Sequence, residues 1–466
     1  MKIIFLSKKV LVFVLALDID KHILHFTLVM LSLYLHIPFC ASKCAYCSFN
    51  SMPIDSSDTL IDRYVEALKK EIDYYSETLE DKELKTLYFW WGTPSRIWVE
   101  RIIDIIEYIT TKFNLENLAE LSIELNPYPE AEVLNFVKIL NTKYPKISRL
   151  RYSFGIQSFD DEVLKMTWRA YTFWWIVEFL RALVQLKQDN NVFNFDFIAF
   201  GKFQVSKNGF KQLWHEFKRD FFQKFLDSGY VDSISLYTLE GISNTTPPSP
   251  SPLHGEGKSP LSKKWRGAGG EVICPQTYYW SDEEIMEEFL ILKDIVENAG
   301  FGRYEISNFA RASKASIHNI VYRNMEPYIG LWLSAASFLP MQNVEHRMQK
   351  KFLNSEPWII HSKFWTRWTN TSNIKQYLEG NWIDEKEVHV LNASDLLIEE
   401  FFLRLRTREG ITDISKFIHL LVPTHKSLLA IYIKEWLVEF DGTKLQLTDE
   451  GMNVYNSIIT DLLQKL

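Results

Sequence analysis

The sequence predicts an α/β protein built on parallel strands, and three observations support that class. Six short runs rich in apolar, β-branched and aromatic residues recur after residue 30, as buried strands do. Stretches with helical periodicity separate these runs, and a helical crossover is the usual connection between parallel strands. The chain has 466 residues, of which 47% are hydrophobic and 24% charged, so it can bury a large core.

The predicted strands alternate with predicted helices. In the first helix, apolar residues recur every four positions from Leu60 to Ile72, and Asp58 precedes them as an N-cap. Such units either close partly into a barrel or lie open as a doubly wound sheet, and in both arrangements binding sites gather at the carboxyl ends of the strands. The strands cover 31–37, 84–90, 121–125, 149–157, 194–200 and 233–239, and the helices cover 57–78, 99–112, 130–141, 160–189 and 209–227.

The segments around this core differ from it in composition. The N-terminal extension, 1–30, holds an apolar run at Val10–Leu17 that is too short to span a bilayer and has no signal cleavage site after it. A Pro, Ser and Gly rich stretch predicts an insertion over 244–277, which interrupts the chain after the core at 31–243. We expect this insertion to have no structural role.

The last part of the chain returns to helical and hairpin patterns. The region 278–390 is predicted to link and cap the core, and it opens on a helix that ends at Gly300. The region 391–466 is predicted to form a small, mainly helical or winged C-terminal domain. Within it, Asp441 and Gly442 form a dipeptide that is typical of a hairpin turn.

Charge and cysteine usage limit the class of partner. The net charge is -7 and no basic stripe is present, so we do not expect nucleic acid as a partner. No apolar stretch is long enough to cross a membrane, which leaves only peripheral membrane contact open. Three clustered cysteines in a chain of this length predict a metal or cluster site in a reducing compartment, here the cytoplasm.

The cysteines lie directly after the first predicted strand. Cys40, Cys44 and Cys47 follow C-x3-C-x2-C spacing, and Cys274 is too remote to be expected as a fourth ligand. Thiolates bind zinc and iron–sulfur clusters, but structural zinc takes four protein ligands. Three ligands therefore favour a [4Fe–4S] cluster with one iron left open for another molecule. Spacing alone leaves zinc and a chance cluster open.

Motifs along the chain carry a family resemblance. The loop "YLHIPFC…CAYCSF" resembles the radical S-adenosylmethionine (SAM) family, and within it the oxygen-independent coproporphyrinogen III oxidases. Phe49 stands where the oxidases have a further cysteine, which favours the HemW heme-chaperone branch. The resemblance runs from Leu31 to the C-terminus and implies a partial (β/α)6 barrel with a small C-terminal domain. It also includes "LYFWWGTPS", "LSIELNP", "FGIQSFDDEVLK", "RYEISNFA", "HNIVY" and "LQLTDEG".

The resemblance implies site residues and cofactors. It assigns the three cysteines to a [4Fe–4S] cluster whose open iron binds SAM. It assigns heme, tentatively, to His318 in the "HNIVY" motif. Without the resemblance, a satisfied structural group is the favoured interpretation of each of these polar residues. The positions implied to hold SAM or to shape its site are Tyr34, Gly92, Thr93, Glu124, Gln157, Arg169 and Asp196.

The resemblance further implies a role in heme delivery or porphyrin metabolism. A HemW-like heme chaperone would bind heme and pass it to acceptor proteins, with an electron donor that reduces the cluster. Two alternatives remain open at this stage. One is an oxygen-independent coproporphyrinogen III oxidase, which decarboxylates its substrate to protoporphyrinogen IX. The other is a degenerate, non-catalytic protein that binds only a cluster.

Tryptophans replace glycines of the family pattern. Glycine lets a backbone approach a cofactor closely, whereas a tryptophan side chain fills that space. We therefore expect hindered SAM binding in a chain that is either a degenerate member or altered from a working parent. The replaced positions are Trp90, Trp91, Trp168 and Trp332.

Overall fold

The computed structural model describes residues 30–40, 44, 47, 51–54, 58–79, 82–90, 99–167, 169–200, 210–239, 282–340, 365–418 and 420–463. The extension 1–29, the insertion 244–277, Trp91, Gly92, Thr93 and Trp168 lie outside these residues. The strands are β1 (Leu31–His36), β2 (Phe39–Cys40), β3 (Met52–Pro53), β4 (Leu84–Trp90), β5 (Glu120–Leu125), β6 (Leu150–Gln157), β7 (Asn191–Ala199), β8 (Ser233–Thr238), β9 (Gly302–Glu305), β10 (Asn308–Ala310), β11 (Tyr328–Leu331), β12 (Ala336–Pro340), β13 (Trp365–Asn370), β14 (Ile383–Leu391), β15 (Val438–Phe440) and β16 (Leu445–Leu447).

Helices separate the strands as the periodicity predicts. The α-helices are α1 (Thr59–Thr78), α2 (Val99–Thr110), α3 (Glu130–Lys143), α4 (Asp161–Met166), α5 (Phe173–Val184), α6 (Phe210–Asp227), α7 (Asp282–Asn298), α8 (Ile317–Arg323), α9 (Ile374–Leu378), α10 (Ala393–Leu405), α11 (Pro423–Lys434), α12 (Asp449–Asn453) and α13 (Tyr455–Leu463). Asp58 caps α1 as predicted, since its side chain accepts from the Leu60 N–H at 2.8 Å.

The prediction of a single helix over 160–189 is wrong. The structure has two helices here, α4 and α5, and the chain turns between them. Asp160 caps α4 by accepting from two backbone N–H groups, and the carboxylate of Asp161 accepts from the Phe173 N–H at the start of α5. These side-chain acceptors satisfy backbone N–H groups where the helix is interrupted. Helical periodicity alone does not indicate the interruption.

Twelve of the described strands form one open sheet. Its order is β14-β13-β12-β11-β1-β4-β5-β6-β7-β8-β10-β9. All six predicted strands are present at its centre, where β1, β4, β5, β6, β7 and β8 pair in parallel. The chain after 300 adds strands to both edges: β11 pairs in parallel with β1, and β10 pairs antiparallel with β8. The result is the partial, open barrel that the sequence predicts, extended beyond six strands.

The two faces of the six central strands differ in polarity. On β4, Leu87 and Phe89 pack into the main hydrophobic core, while Thr86 and Tyr88 point to the other face and bond to polar groups. Barrel interiors are usually filled by branched apolar residues, so a polar interior is suited to a ligand rather than to packing. We call this surface the polar face; its members are Ser32, Tyr34, Thr86, Tyr88, Glu120, Ser122, Glu124, Arg151, Ser153, Asn194, Asp196, Ser233 and Ser235.

A buried carboxylate joins α1 to the added strands. Glu71 is fully buried and accepts from the Trp332 N–H at 2.9 Å, from Asn370 Nδ2 at 2.6 Å and from the Tyr377 hydroxyl. We call Glu71, Tyr64, Trp332, Asn370 and Tyr377 the seam. Burial raises the pKa of Glu71 to about 7, although its three donors act in the opposite direction.

The C-terminal region has a hydrophobic core of its own. Helices α10 to α13 pack with the hairpin of β15 and β16 around Phe401, Leu405 and Leu445. The hairpin turns at Asp441 and Gly442, as the dipeptide predicts, and Gly442 has a positive φ of 101°. Helix α7 ends before Gly300, which has φ 87°. The exact domain boundaries remain predictions.

Candidate functional site

The cysteines lie at the carboxyl end of the sheet. Cys40 ends the short strand β2, and Cys44 and Cys47 follow it; all three thiols are half-buried and free of disulfides. The Cys47 N–H donates to the Cys44 carbonyl at 3.1 Å, which gives the loop a tight turn. Among the described side chains, no group of three is arranged around a single metal ion. A cluster does not require that arrangement, because each thiolate binds a different iron.

An arginine connects this loop to β6. Arg169 Nη1 lies 3.5 Å from Cys44 Sγ, its Nε donates to the Tyr171 hydroxyl at 2.7 Å, and its Nη2 donates to the Gly155 carbonyl. Gln157 lies beside it with a positive φ of 70°, and a Cβ on Gly155 would be 2.7 Å from Gln157 Nε2. Glycine at 155 therefore lets both long side chains lie against β6, next to the cysteine loop.

Two carboxylates lie close together on the polar face. Glu124 accepts from the Tyr88 hydroxyl at 2.6 Å and lies 3.9 Å from Arg151 Nη1. Asp196 accepts from Ser153 at 3.1 Å and from Asn194 Nδ2 at 2.8 Å. Burial raises the pKa of Glu124, and the nearby negative charge of Asp196 raises it further. The pair can therefore hold a proton, or bind a donor such as an ammonium or a hydroxyl.

Three aromatic side chains pack on one another on the polar face, toward the end nearest the cysteines. Trp90, the last residue of β4, stacks on Tyr88 with ring centres 5.4 Å apart and planes 13° apart. Its edge meets Tyr34 at 6.2 Å. Tyr34 and Tyr88 are only 6% and 3% exposed, while Trp90 is half-buried. We call Tyr34, Tyr88 and Trp90 the aromatic cap.

His318 lies at the opposite end of the polar face. The side chain is fully buried on α8, with Nδ1 2.6 Å from Thr86 Oγ1 and Nε2 2.8 Å from the Tyr322 hydroxyl. Thr86 donates to Ser32, so Nδ1 donates to Thr86 and Nε2 accepts from Tyr322. Burial and then the Arg151 charge lower the pKa of His318 to about 3. The Nε2 lone pair that a heme iron would need is thus already engaged.

The predicted site residues fall into three groups. The structure brings Tyr34, Glu124 and Asp196 together on the polar face, and it brings Gln157 and Arg169 together beside Cys44. His318 lies at the polar face as well, bonded to Thr86, with its ring centre 4.9 Å from that of Tyr88. The predictions for Gly92 and Thr93 lie outside the described residues. Their assignment to SAM, the cluster and heme stays a prediction.

Sequence reasoning missed residues that complete the polar face. Tyr88, Arg151 and Ser153 bond to or lie near the two carboxylates, and Arg151 is only 2% exposed. A signal was available, because polar residues alternate with apolar ones along β4, β5 and β6. That alternation assigns one face to the helices and the other to polar groups. The alternation is easily overlooked when each strand is treated as a uniformly apolar run.

The residues present fit a [4Fe–4S] cluster and, in part, SAM. Three thiols on one loop, none of them in a disulfide, lie beside the Arg169 guanidinium and form a donor set that suits a cluster. The polar face supplies acceptors for an amino group or a ribose. The aromatic cap lies beside those acceptors, and the Tyr88 hydroxyl donates to Glu124. In the part of the chain that the structure describes, no helix has the length and apolar character to cross a membrane.

Comparisons with known proteins agree with the fold. Residues 34–204 match the family model described as "Radical SAM superfamily". The chain is similar to the heme chaperone HemW of Lactococcus lactis subsp. lactis (strain IL1403), with 24% identity over 437 residues that cover 93% of this chain and 97% of that protein. It is also similar to HemW of Bacillus subtilis (strain 168), with 23% identity over 457 residues and coverage of 94% and 100%.

A solved structure shows the same fold. Coproporphyrinogen III oxidase (HemN) from Escherichia coli, described as a radical SAM enzyme, aligns with a TM-score of 0.64 and 18% identity, and the match covers 96% of this chain and 93% of that one. At this identity the likeness shows the fold and not the activity. The family model matches the strands that carry the cysteines and both carboxylates, and the curated relatives span nearly the whole chain. Over residues 34–204 the chain is therefore similar to radical SAM proteins.

Proposed function

We propose that the protein is a HemW-like heme chaperone of the cytoplasm that carries a [4Fe–4S] cluster on Cys40, Cys44 and Cys47. The observation that carries this proposal is the loop of three half-buried cysteines, none in a disulfide, at the carboxyl end of a polar-lined sheet. The similarity to the heme chaperones HemW of L. lactis and B. subtilis supports the heme role. The two carboxylates of the polar face and Arg169 are the proposed contacts for SAM, together with Tyr34, Gln157, Gly92 and Thr93.

The chain's own residues have distinct parts in this proposal. When bound, the cluster would supply one electron to a SAM molecule on its open iron. Arg169 lies against Cys44 and would keep a positive charge next to the cluster. Glu124 and Asp196 would accept from the ribose or the amino group. Tyr34 and Tyr88, which are almost fully buried, would limit the access of water on the same face of the sheet.

Heme ligation by His318 would require a change in the structure. The ring is buried, and Nε2 accepts from the Tyr322 hydroxyl. Ligation therefore requires α8 to open and Tyr322 to release that nitrogen. Replacing Tyr322 by Phe frees the lone pair without removing the ring. If His318 binds heme iron, Tyr322→Phe strengthens hemin binding and His318→Ala abolishes it, as followed by the Soret band.

One set of measurements tests the proposed function. The protein is reconstituted anaerobically with iron and sulfide, iron is counted, and hemin is titrated while the Soret band is recorded. We expect four irons per chain, as a [4Fe–4S] cluster requires, and saturable hemin binding. The same sample is incubated with coproporphyrinogen III, reductant and SAM. Formation of protoporphyrinogen IX would identify an oxidase instead, and the lack of hemin binding would refute the heme role.

A further inference from the structure

A buried arginine on the polar face has no hydrogen-bond partner among the described residues. Arg151 is the second residue of β6 and is only 2% exposed. Its Nε is buried without an acceptor, and the nearest described carboxylate oxygen, Glu124 Oε1, lies 3.9 Å from Nη1. That separation is too long for a hydrogen bond. Buried polar groups in folded proteins are almost always paired, so the position of this side chain requires a reason.

A neighbouring arginine shows how a structural arginine is bonded here. Arg149 directly precedes β6, and its Nη1 donates to the Ala315 carbonyl and its Nη2 to the Ser313 carbonyl, both at 2.7 Å. These bonds join the sheet to the loop before α8. Arg151 makes no comparable contact with a described residue, and a buried charge without acceptors is costly for the folded state. The packing of the fold therefore accounts for Arg149 but not for Arg151.

The groups around Arg151 keep it ionised but do not bond to it. Burial lowers the pKa of Arg151, but nearby groups outweigh burial and the net change is upward. Glu120 is engaged elsewhere, because it accepts from the first backbone N–H groups of α8. Glu124 accepts from the Tyr88 hydroxyl at 2.6 Å. The guanidinium is therefore a fixed positive charge with N–H donors still unused. The groups that raise its pKa are Tyr304, Tyr88, Glu120 and Glu124.

The position of Arg151 is separate from the cysteine loop. Arg151 lies four residues before Gly155, whose carbonyl accepts from Arg169 beside that loop. Four residues of strand span about 13 Å, so a ligand group held at the cluster is not adjacent to Arg151. His318 is nearer in its effects: burial lowers the pKa of His318, and the Arg151 charge lowers it further. Arg151 and His318 therefore share one part of the polar face.

We propose that Arg151 is a carboxylate-binding residue and that its ligand is a propionate of heme. The inference rests on the proposed function, because it takes heme as the ligand of the protein, and it adds a recognition residue to that function. A guanidinium presents parallel N–H donors that fit both oxygens of a carboxylate, and such charge-assisted pairs are strong. Heme carries its carboxylates at one edge, so this pairing would fix the orientation of the macrocycle on the polar face. SAM also carries a carboxylate and is the alternative source.

Esterification of the ligand tests the pairing directly. Hemin and hemin dimethyl ester differ in whether their propionates are charged, and both are titrated while the Soret band is recorded. We expect the wild type to bind hemin about tenfold more tightly than the ester, as one charge-assisted hydrogen bond would give. Arg151→Met should abolish this preference, and Arg151→Lys, which keeps the charge without the planar fork, should keep part of it. Arg149→Met is the matched control and should keep the full ratio.

Stability measurements separate ligand recognition from a structural role. Arg151→Met loses no hydrogen bond to a described residue, so the urea midpoint of the ligand-free variant should equal or exceed that of the wild type. Arg149→Met loses its bonds to two carbonyls and should have a lower midpoint. A decrease in Arg151→Met as large as that in Arg149→Met would mean that Arg151 serves the fold, and it would overturn the proposal.

The titrations also distinguish failure of this site from failure of the heme role. Equal affinity of the wild type for hemin and its ester, or a preference that survives in Arg151→Met, would overturn the site while the heme role stands. If hemin does not bind, the heme role fails, and SAM is compared with methylthioadenosine, which lacks the carboxylate, on the reconstituted protein. A preference for SAM that is lost in Arg151→Met would keep Arg151 as a carboxylate site with SAM as its ligand. An unchanged preference would refute the site.

Discussion

The aromatic cap and the seam each contain a tryptophan where the family pattern has glycine, but their surroundings differ. Trp90 ends a regular strand, is half-buried and stacks on Tyr88 at 5.4 Å. Trp332 is fully buried and has a positive φ of 89°. Its ring centre lies 4.0 Å from that of Tyr64 and 4.2 Å from that of Tyr377. These distances are below the usual range for aromatic pairs.

The comparison teaches that one kind of substitution has two separate effects. At the cap, a large side chain stacks on a neighbour beside polar groups and lies in an extended strand. At the seam, it fills a closed interior, adopts a left-handed backbone conformation that strains a non-glycine residue, and leaves the indole N–H without a partner among the described atoms. Changes at the cap should therefore alter ligand binding, and changes at the seam should alter the free energy of unfolding.

The largest expected effect lies at the cysteine loop. Cys44→Ala removes one of three cluster ligands, so we expect reconstituted iron to fall to background while the cluster-free protein keeps its free energy of unfolding within about 0.5 kcal/mol. The Cys44 thiol is half-buried and is not part of a hydrophobic core, so its loss should leave the free energy of unfolding unchanged. Iron analysis and urea unfolding measure the two quantities. Full iron retention would refute the cluster assignment.

The seam should respond in stability and not in iron content. Trp332→Ala leaves a cavity in the core, which costs about 3–5 kcal/mol. Trp332→Gly leaves a similar cavity but relieves the positive φ, which costs a non-glycine residue about 1–2 kcal/mol. Glycine is normally less stable than alanine by about 0.5–1 kcal/mol, so the order should reverse here. Urea unfolding of both variants measures this difference.

A control at the cap makes this test specific. Trp90 lies in extended strand, so Trp90→Gly should be less stable than Trp90→Ala, the ordinary order. If Trp332→Gly is also less stable than Trp332→Ala, the left-handed backbone at the seam is not a source of strain. The difference in unfolding free energy between the Gly and Ala variants then has the same sign at positions 332 and 90. In that case the cap and the seam do not differ in backbone strain.

Local patterns in the sequence predicted the central fold but not the seam. The six central strands, the Asp58 cap and the turn at Gly442 follow from short-range signals, and the structure contains each of them. The pairing of β11 with β1 joins segments far apart in the chain, and β11 has only four residues. No local pattern specifies such a partner. Likewise, nothing in the residue type of Trp332 signals a positive φ.

The sequence likewise predicted some parts of the candidate site and not others. Glu124 and Asp196 were identified through a family resemblance, and the alternation along β4 to β6 would have identified the polar face independently. His318 was assigned to heme on its motif alone, yet the structure engages both of its ring nitrogens. Hydrogen-bond partners depend on tertiary contacts, here between α8 and β4, which a motif does not contain.

Glu71 should make the seam sensitive to pH. Its pKa is raised from 4.5 to about 7 on folding, chiefly by burial, so unfolding releases a proton between these values. The free energy of unfolding should therefore fall as pH rises through this window, by at most about 3 kcal/mol. Glu71→Gln should remove this dependence, because a glutamine side chain does not titrate. The new amide can be accommodated, because Asn370 can turn its unpaired Oδ1 toward it.

The measurement is urea unfolding of the wild type and Glu71→Gln at pH 5 and pH 8. Other buried groups, such as Glu124 and His318, titrate equally in both proteins and cancel in the difference. We expect the two proteins to be similar at pH 5 and the variant to be the more stable at pH 8. A constant difference at both values would mean that Glu71 is ionised throughout, and that its three donors outweigh burial.

The smallest effect concerns the far end of the helix that carries Glu71. Asp58→Ala removes the N-cap of α1 and should cost about 1 kcal/mol, while Asp58→Asn keeps an acceptor and should cost little. By helical rise the cap lies about 20 Å from Glu71, so the effects of Asp58→Ala and Glu71→Gln should add within about 0.5 kcal/mol. Additive unfolding energies would mean that the seam is held by its own contacts. A larger coupling would mean that α1 transmits a shift along its length, and the seam would then be sensitive to changes made far outside it.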